Sequence, residues 1–197
     1  WCNEVGEEHT FSFSDISKAS NRAANFFASL GIGRGDRVML ILKRHYQFWF
    51  ALLGLHKLGA VGIPATNQLT KKDISYRCNA AGVKAVICTT DGGVTEHVES
   101  ALPDSPTVQI KISVHGQYKD WVNFDTEYLK FADTMQRAET RVEEPMLIYF
   151  TSGTTGMPKM VCHDFSYPIA HIVTAKYWQN VVPDGLHLTI SDTGWMK

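Results

Sequence analysis

Short, unbroken apolar runs followed by segments of helical periodicity constrain this chain more than any other feature. Val38 to Leu42, Val61 to Ile63 and Ala85 to Cys88 are each too short for a helix and lack the polar alternation of a strand with one wet face. Continuous apolar strands belong to sheets covered on both faces, and parallel neighbours need a crossover of a dozen or more residues. Those crossovers are legible. One helix runs from about Tyr46 to Leu58 and stops at Gly59, and another is capped by Thr70 and closed by Gly82. Ahead of them, Ile16, Ala19, Ala23, Phe26, Phe27 and Leu30 line one helical face. Ser14 stands at that helix's expected N-cap and Gly31 at its end, and weak alternation from His9 to Phe13 predicts a strand before it. The fold class is α/β, a mostly parallel sheet with flanking helices.

The alternation continues with a helix from Val94 to Leu102 and a strand from Val108 to Ile112. From Ser113 to Glu144 the pattern fades, and an irregular insertion held by two or three aromatic anchors is expected. Met146 to Phe150 is strongly β-prone, Met160 to Cys162 resumes a strand, and Ser166 to Asn180 reads as a helix with Pro168 in its tolerant first turn. The 197 residues can bury about 70% of their unfolded surface without disulfides or metal. Nineteen Lys and Arg against 20 Asp and Glu, scattered along the chain, leave no basic footprint for nucleic acid. No apolar stretch approaches the roughly 20 residues of a membrane span. Cys2, Cys78, Cys88 and Cys162 form no C-x-x-C pair, so they read as reduced thiols, not as zinc ligands. The chain begins at Trp1, which suggests that the natural start, and any targeting peptide with it, has been lost.

The densest chemical signal is Thr151-Ser152-Gly153-Thr154-Thr155-Gly156-Met157-Pro158-Lys159, directly after an apolar strand. Two glycines let the backbone approach a ligand, four hydroxyls can donate to phosphate oxygens, and the lysine supplies charge. A triphosphate is the natural ligand. With Met157 and Pro158 between Gly156 and Lys159, no hydroxyl after the lysine and a strand following, the run is not a Walker A P-loop and sets its ligand on a hairpin. A polar surface turn of similar composition is the plain alternative.

With Tyr149 and Phe150 before it, this run resembles the phosphate loop Y-T-S-G-T-T-G-x-P-K-G of the adenylate-forming superfamily, which includes acyl-CoA synthetases, luciferases and peptide-synthetase adenylation domains. Met160 departs from its last glycine. Gly33-x-Gly35-Asp36-Arg37-Val38, Leu58 to Pro64 and Ser191 to Trp195 resemble further blocks of the superfamily, so the likeness spans the chain. Ile63 to Ile74 and the pair Tyr76-Arg77 are most similar to its medium-chain acyl-CoA synthetase branch, with acetyl-CoA synthetase a near neighbour.

The resemblance implies an N-terminal part, residues 1–197, of a large adenylation domain whose C-terminal domain is absent. It implies an acid-thiol ligase that uses ATP and Mg²⁺ to turn a carboxylic acid into an acyl adenylate and then passes the acyl group to coenzyme A. Residues 151–159 would bind the ATP phosphates, Trp195 would wall the acyl pocket, and Gln68 would contact coenzyme A. The adenine, ribose and Mg²⁺ motifs and the catalytic lysine are expected beyond residue 197, so the fragment alone is expected to be inactive, with no metal ligand assigned within it. A cytoplasmic or organellar protein is expected. An acetyl-specific enzyme, a carrier-protein-loading domain and a stand-alone phosphate-binding module are the alternatives.

Other patterns are weaker. Gly31-Ile32-Gly33-Arg34-Gly35 follows a helix and precedes a strand, the reverse of a dinucleotide fingerprint. His163 and His171 fit no zinc spacing, and His163, Asp164 and Ser166 lack the elbow of a hydrolase. Phe48, Trp49 and Phe50 read as core.

Overall fold

The computed structural model describes residues 1–151, 156–188 and 191–194. Ser152, Gly153, Thr154, Thr155 and Trp195, all assigned above to a site, lie outside the described residues. Seven strands form one sheet in the order β5-β4-β3-β1-β2-β6-β7. They are β1 (Arg37–Ile41), β2 (Val61–Pro64), β3 (Ala85–Thr89), β4 (Ile110–Val114), β5 (Val122–Asn123), β6 (Pro145–Thr151) and β7 (Lys159–Asp164). All neighbours are parallel except β6 and β7. The helices are α1 (Phe13–Ser29), α2 (Gln47–Lys57), α3 (Lys71–Ala81), α4 (Val94–Ala101), α5 (Phe124–Glu127) and α6 (Tyr167–Tyr177).

The period of two along each strand divides the core between two faces. Val38, Leu40, Ala85, Ile87 and Leu147 pack on one side with Ala23, Phe27, Ala51 and Leu55 of α1 and α2. Met39, Ile41, Val86, Cys88 and Ile148 pack on the other with Ile74, Cys78 and Val98 of α3 and α4. Both layers explain why the runs are apolar without interruption. The helix ends follow local chemistry. Thr70 and Asp73 close a reciprocal capping box on α3, and Gly82 ends it in the left-handed conformation, φ 60° and ψ 50°.

Two expectations about the N-terminal region fail. Residues 9–12 join no strand; the only bridge nearby pairs Cys2 with Glu8. The N-cap of α1 is Ser12, not Ser14, because the Asp15 carboxylate reaches back to the Ser12 amide at 2.9 Å while Ser12 accepts from the Asp15 amide. The unpatterned stretch does hold aromatic anchors, Trp121 and Phe124, both buried. It also adds β5 to the sheet edge, so part of it is regular. The sixth helix ends at Tyr177, short of Asn180, which adopts φ 52°.

Candidate functional site

The nine-residue run sits where β6 hands over to β7. Thr151 pairs with Lys159 and Phe150 with Met160, so the two ends of the run pair across an antiparallel hairpin. Gly156 adopts φ 122°, a conformation strained for any side chain, although nothing within 4 Å would meet an added Cβ. Backbone shape, not crowding, calls for glycine there. From α3, the Tyr76 hydroxyl donates to the Pro158 carbonyl at 2.9 Å. The Arg77 guanidinium lies 5.3 Å from the centroid of the Phe150 ring. Helix α3 thus braces the exit of the loop. Lys159 is exposed and makes no ion pair with any described residue. Its charge is therefore available to a ligand.

The histidines beside the hairpin take a packing role. His163 on β7 lies 4.0 Å, centroid to centroid, from Tyr167, which meets His171 edge-on at 4.4 Å. Burial, then the neighbouring Tyr167, pushes the Tyr149 hydroxyl up to about 12.

The parallel strands create a second feature. From β1 the chain crosses to β2 on one side, then returns past β1 to β3 and continues to β4 on the other. Open α/β sheets bind ligands outside the carboxyl ends of their strands at such a reversal. A cleft of about 1150 Å³ lies there. Lys43, Arg44 and His45 follow β1 into it, Thr66, Asn67 and Gln68 follow β2, Asp91 and Gly92 follow β3, and His115 follows β4. Ser191 and Asp192 also line it, and the Thr193 hydroxyl donates to the Lys43 carbonyl. Gln68 is exposed at this cleft, its backbone N–H donating to Thr66 Oγ1 at 3.3 Å. Of the predicted site residues, Gln68 and the segment just before Trp195 share the cleft. Thr151, Gly156, Met157, Pro158 and Lys159 do not line it.

Inside the cleft the Asp91 carboxylate bridges two imidazoles. Its Oδ2 is 3.0 Å from His45 Nε2 and its Oδ1 is 2.9 Å from His115 Nδ1. Burial, followed by the nearby His115, holds the His45 imidazole below its ordinary range, against the pull of Asp91. Burial also works to raise the Asp91 carboxyl, but the hydrogen bond and charge of His115, with His45 and Lys43, outweigh it and leave it lowered. Sequence reading missed this cluster. The available signal was position alone, since each member follows the end of a parallel strand.

Comparison with known proteins agrees with the fold. Acyl-coenzyme A synthetase ACSM4, mitochondrial, of Mus musculus is 36% identical over 200 residues, and acyl-coenzyme A synthetase ACSM5, mitochondrial, of Homo sapiens is 35% identical over 201. Each alignment covers 100% of this chain and 34% of the relative, so the chain spans about a third of their length. A solved structure, the anthranilate CoA ligase AuaEII in complex with anthranoyl-AMP, superposes with a TM-score of 0.79 at 22% identity, over 87% of this chain and 32% of that one. Among the described residues no helix is long and apolar enough to cross a membrane. The family described as AMP-binding enzyme matches residues 2–196, almost every position of the sequence, and the chain belongs to it.

Proposed function

We propose that residues 1–197 are part of the large domain of an AMP-forming acyl-CoA synthetase that activates a short- or medium-chain carboxylic acid. The observation that carries this reading is the sequence run Thr151 to Lys159, whose two ends pair across an antiparallel hairpin, in a chain whose relatives are named acyl-CoA synthetases. In the first step a carboxylate oxygen bonds to the α-phosphorus of ATP and the bond to pyrophosphate breaks. In the second, the thiol of coenzyme A attacks the acyl carbon and AMP leaves.

The described residues of the loop suit a polyphosphate. Gly156 opens the backbone, Tyr76 fixes the Pro158 carbonyl, and Lys159 offers an exposed ammonium without an ion-pair partner among the described residues. Charge gathers on the leaving pyrophosphate during adenylate formation, and preorganised donors aimed at that charge lower the barrier. Mg²⁺ would arrive with the nucleotide and neutralise phosphate charge. The cluster of three metal-ligating side chains found among the described residues lies in the cleft, away from the loop. Gln68 is read as a coenzyme A contact and Trp195 as a wall of the acyl pocket. The word mitochondrial in the relatives' names favours an organellar over a cytoplasmic location for the full-length protein.

Carboxylate-dependent exchange of pyrophosphate into ATP tests the reading, with acids from acetate to octanoate and benzoate, on this chain and its full-length parent. Exchange by the parent alone is the expected result, and no exchange by either with any acid overturns it. Lys159→Ala in the parent is expected to slow adenylate formation about 10- to 100-fold, with thioester formation from a supplied acyl adenylate nearly intact. Equal loss in both half-reactions would make Lys159 structural.

A further inference from the structure

Three separate loops, leaving β1, β3 and β4, bring His45, Asp91 and His115 to one point on the cleft wall. One donor atom from each lies within 4.8 Å of the others. We propose that these side chains form a binding site for a divalent transition cation of the zinc class, with His45 Nε2, the Asp91 carboxylate and His115 Nδ1 as ligands and one position open to the cleft.

The donor set selects the metal. Two imidazole nitrogens and one carboxylate suit Zn²⁺ and its neighbours, which take three protein ligands and a water in open sites. Mg²⁺ and Ca²⁺ prefer oxygen alone. Two neutral imidazoles and one carboxylate also leave a dication with a single net charge, to be met by water or an anion entering through the cleft.

The backbone is arranged to hold this geometry. His115 takes φ 63°, in the left-handed region where a side chain is disfavoured. It is held there on both sides, by the Asp125 carboxylate on its amide at 2.7 Å and by the Thr90 hydroxyl on its carbonyl at 2.6 Å. His45 is buried, and its ring stacks on that of His115 with centroids 4.5 Å apart. The Asp91 amide donates to Thr89 Oγ1 at 3.2 Å, which fixes the start of the loop leaving β3. The 2.9 and 3.0 Å contacts between donor atoms would open by a few tenths of an ångström around an ion bound at about 2.0–2.2 Å, and the ion would displace the Thr89 hydroxyl that now lies 3.0 Å from His45 Nε2. The charge facing the carboxylate now is Lys43 Nζ at 3.9 Å, too far for a hydrogen bond, and a cation would take its place.

The test uses the 197-residue chain after chelator treatment. Titration with CoCl₂ is expected to give one equivalent of bound Co²⁺ with the visible bands of a low-coordinate site and no thiolate charge-transfer band. ZnCl₂ should displace it, and millimolar MgCl₂ should not. His115→Ala, whose side chain is exposed and so leaves the core intact, and Asp91→Asn should each weaken binding by at least about tenfold. His171→Ala and Cys2→Ser should change nothing, and circular dichroism confirms the fold of each variant. No Co²⁺ binding, binding that survives His115→Ala, or binding lost on Cys2→Ser would each overturn the proposal.

Discussion

His56 shows what burial does to one titratable side chain. It sits on α2 facing the core, its Nε2 has no hydrogen-bond partner among the described residues, and burial pushes its pKa down to about 4, only partly offset by the Met146 backbone. The unfolded chain binds a proton near pH 6.5 and the folded chain does not until about pH 4, so protonation favours unfolding across that window. Stability is therefore complete above pH 6.5 and falls as the pH drops, by about 3 kcal/mol from this residue at pH 4. Urea titrations at pH 7 and pH 4.5 should reveal the loss, and His56→Leu should flatten it. The cysteines divide by the same physics. Burial raises the Cys78 thiol to about 11 and the Cys88 thiol further, whereas Cys2 and Cys162 are exposed. Iodoacetamide should alkylate Cys2 and Cys162 in the native chain and reach Cys78 and Cys88 only in denaturant.

Between elements, α1 and α2 approach closely at a glycine. A Cβ at Gly54 would lie 3.0 Å from Ala23 Cβ and 3.0 Å from the Ala24 amide nitrogen, so the helices meet backbone to side chain with no slack. Gly54→Val would force them apart and strip contacts from the core face they share with β1 and β2. The expected loss is about 1–3 kcal/mol, read as a shift of the urea midpoint with the slope unchanged. The glycine inside a predicted helix carried no hint of this partner, because spacing reveals a helix face and not what lies against it. Capping was different. Thr70-x-x-Asp73 and Gly82 announce both ends of α3 locally, and the equivalent Ser12-x-x-Asp15 box marks the start of α1 two residues before Ser14.

Across the whole molecule, stability is uneven. The two core layers enclose β1 and β3, whereas α6 contributes no buried residue and exposes Ile169, Ile172, Val173 and Tyr177. An element with so little buried surface opens locally at low cost. Brief trypsin treatment should cut after Lys176 well before Lys57, whose ammonium is tied to Ser20 Oγ and Asn21 Oδ1 at 2.7 Å. Equal rates at the two sites would mean that α6 is as protected as the core. The sequence alone determined the α/β class, the boundaries of most central strands and helices, and the phosphate-type run at the end of β6, because each is written in contiguous residues. Strand order, the edge strand β5 and the cleft were decided only by tertiary structure. His45 and Asp91 stand 46 positions apart, and Asp91 and His115 stand 24 apart. Local pattern cannot join them; the reversal of strand order, fixed by how right-handed crossovers bury two apolar faces at once, is what places their loops side by side.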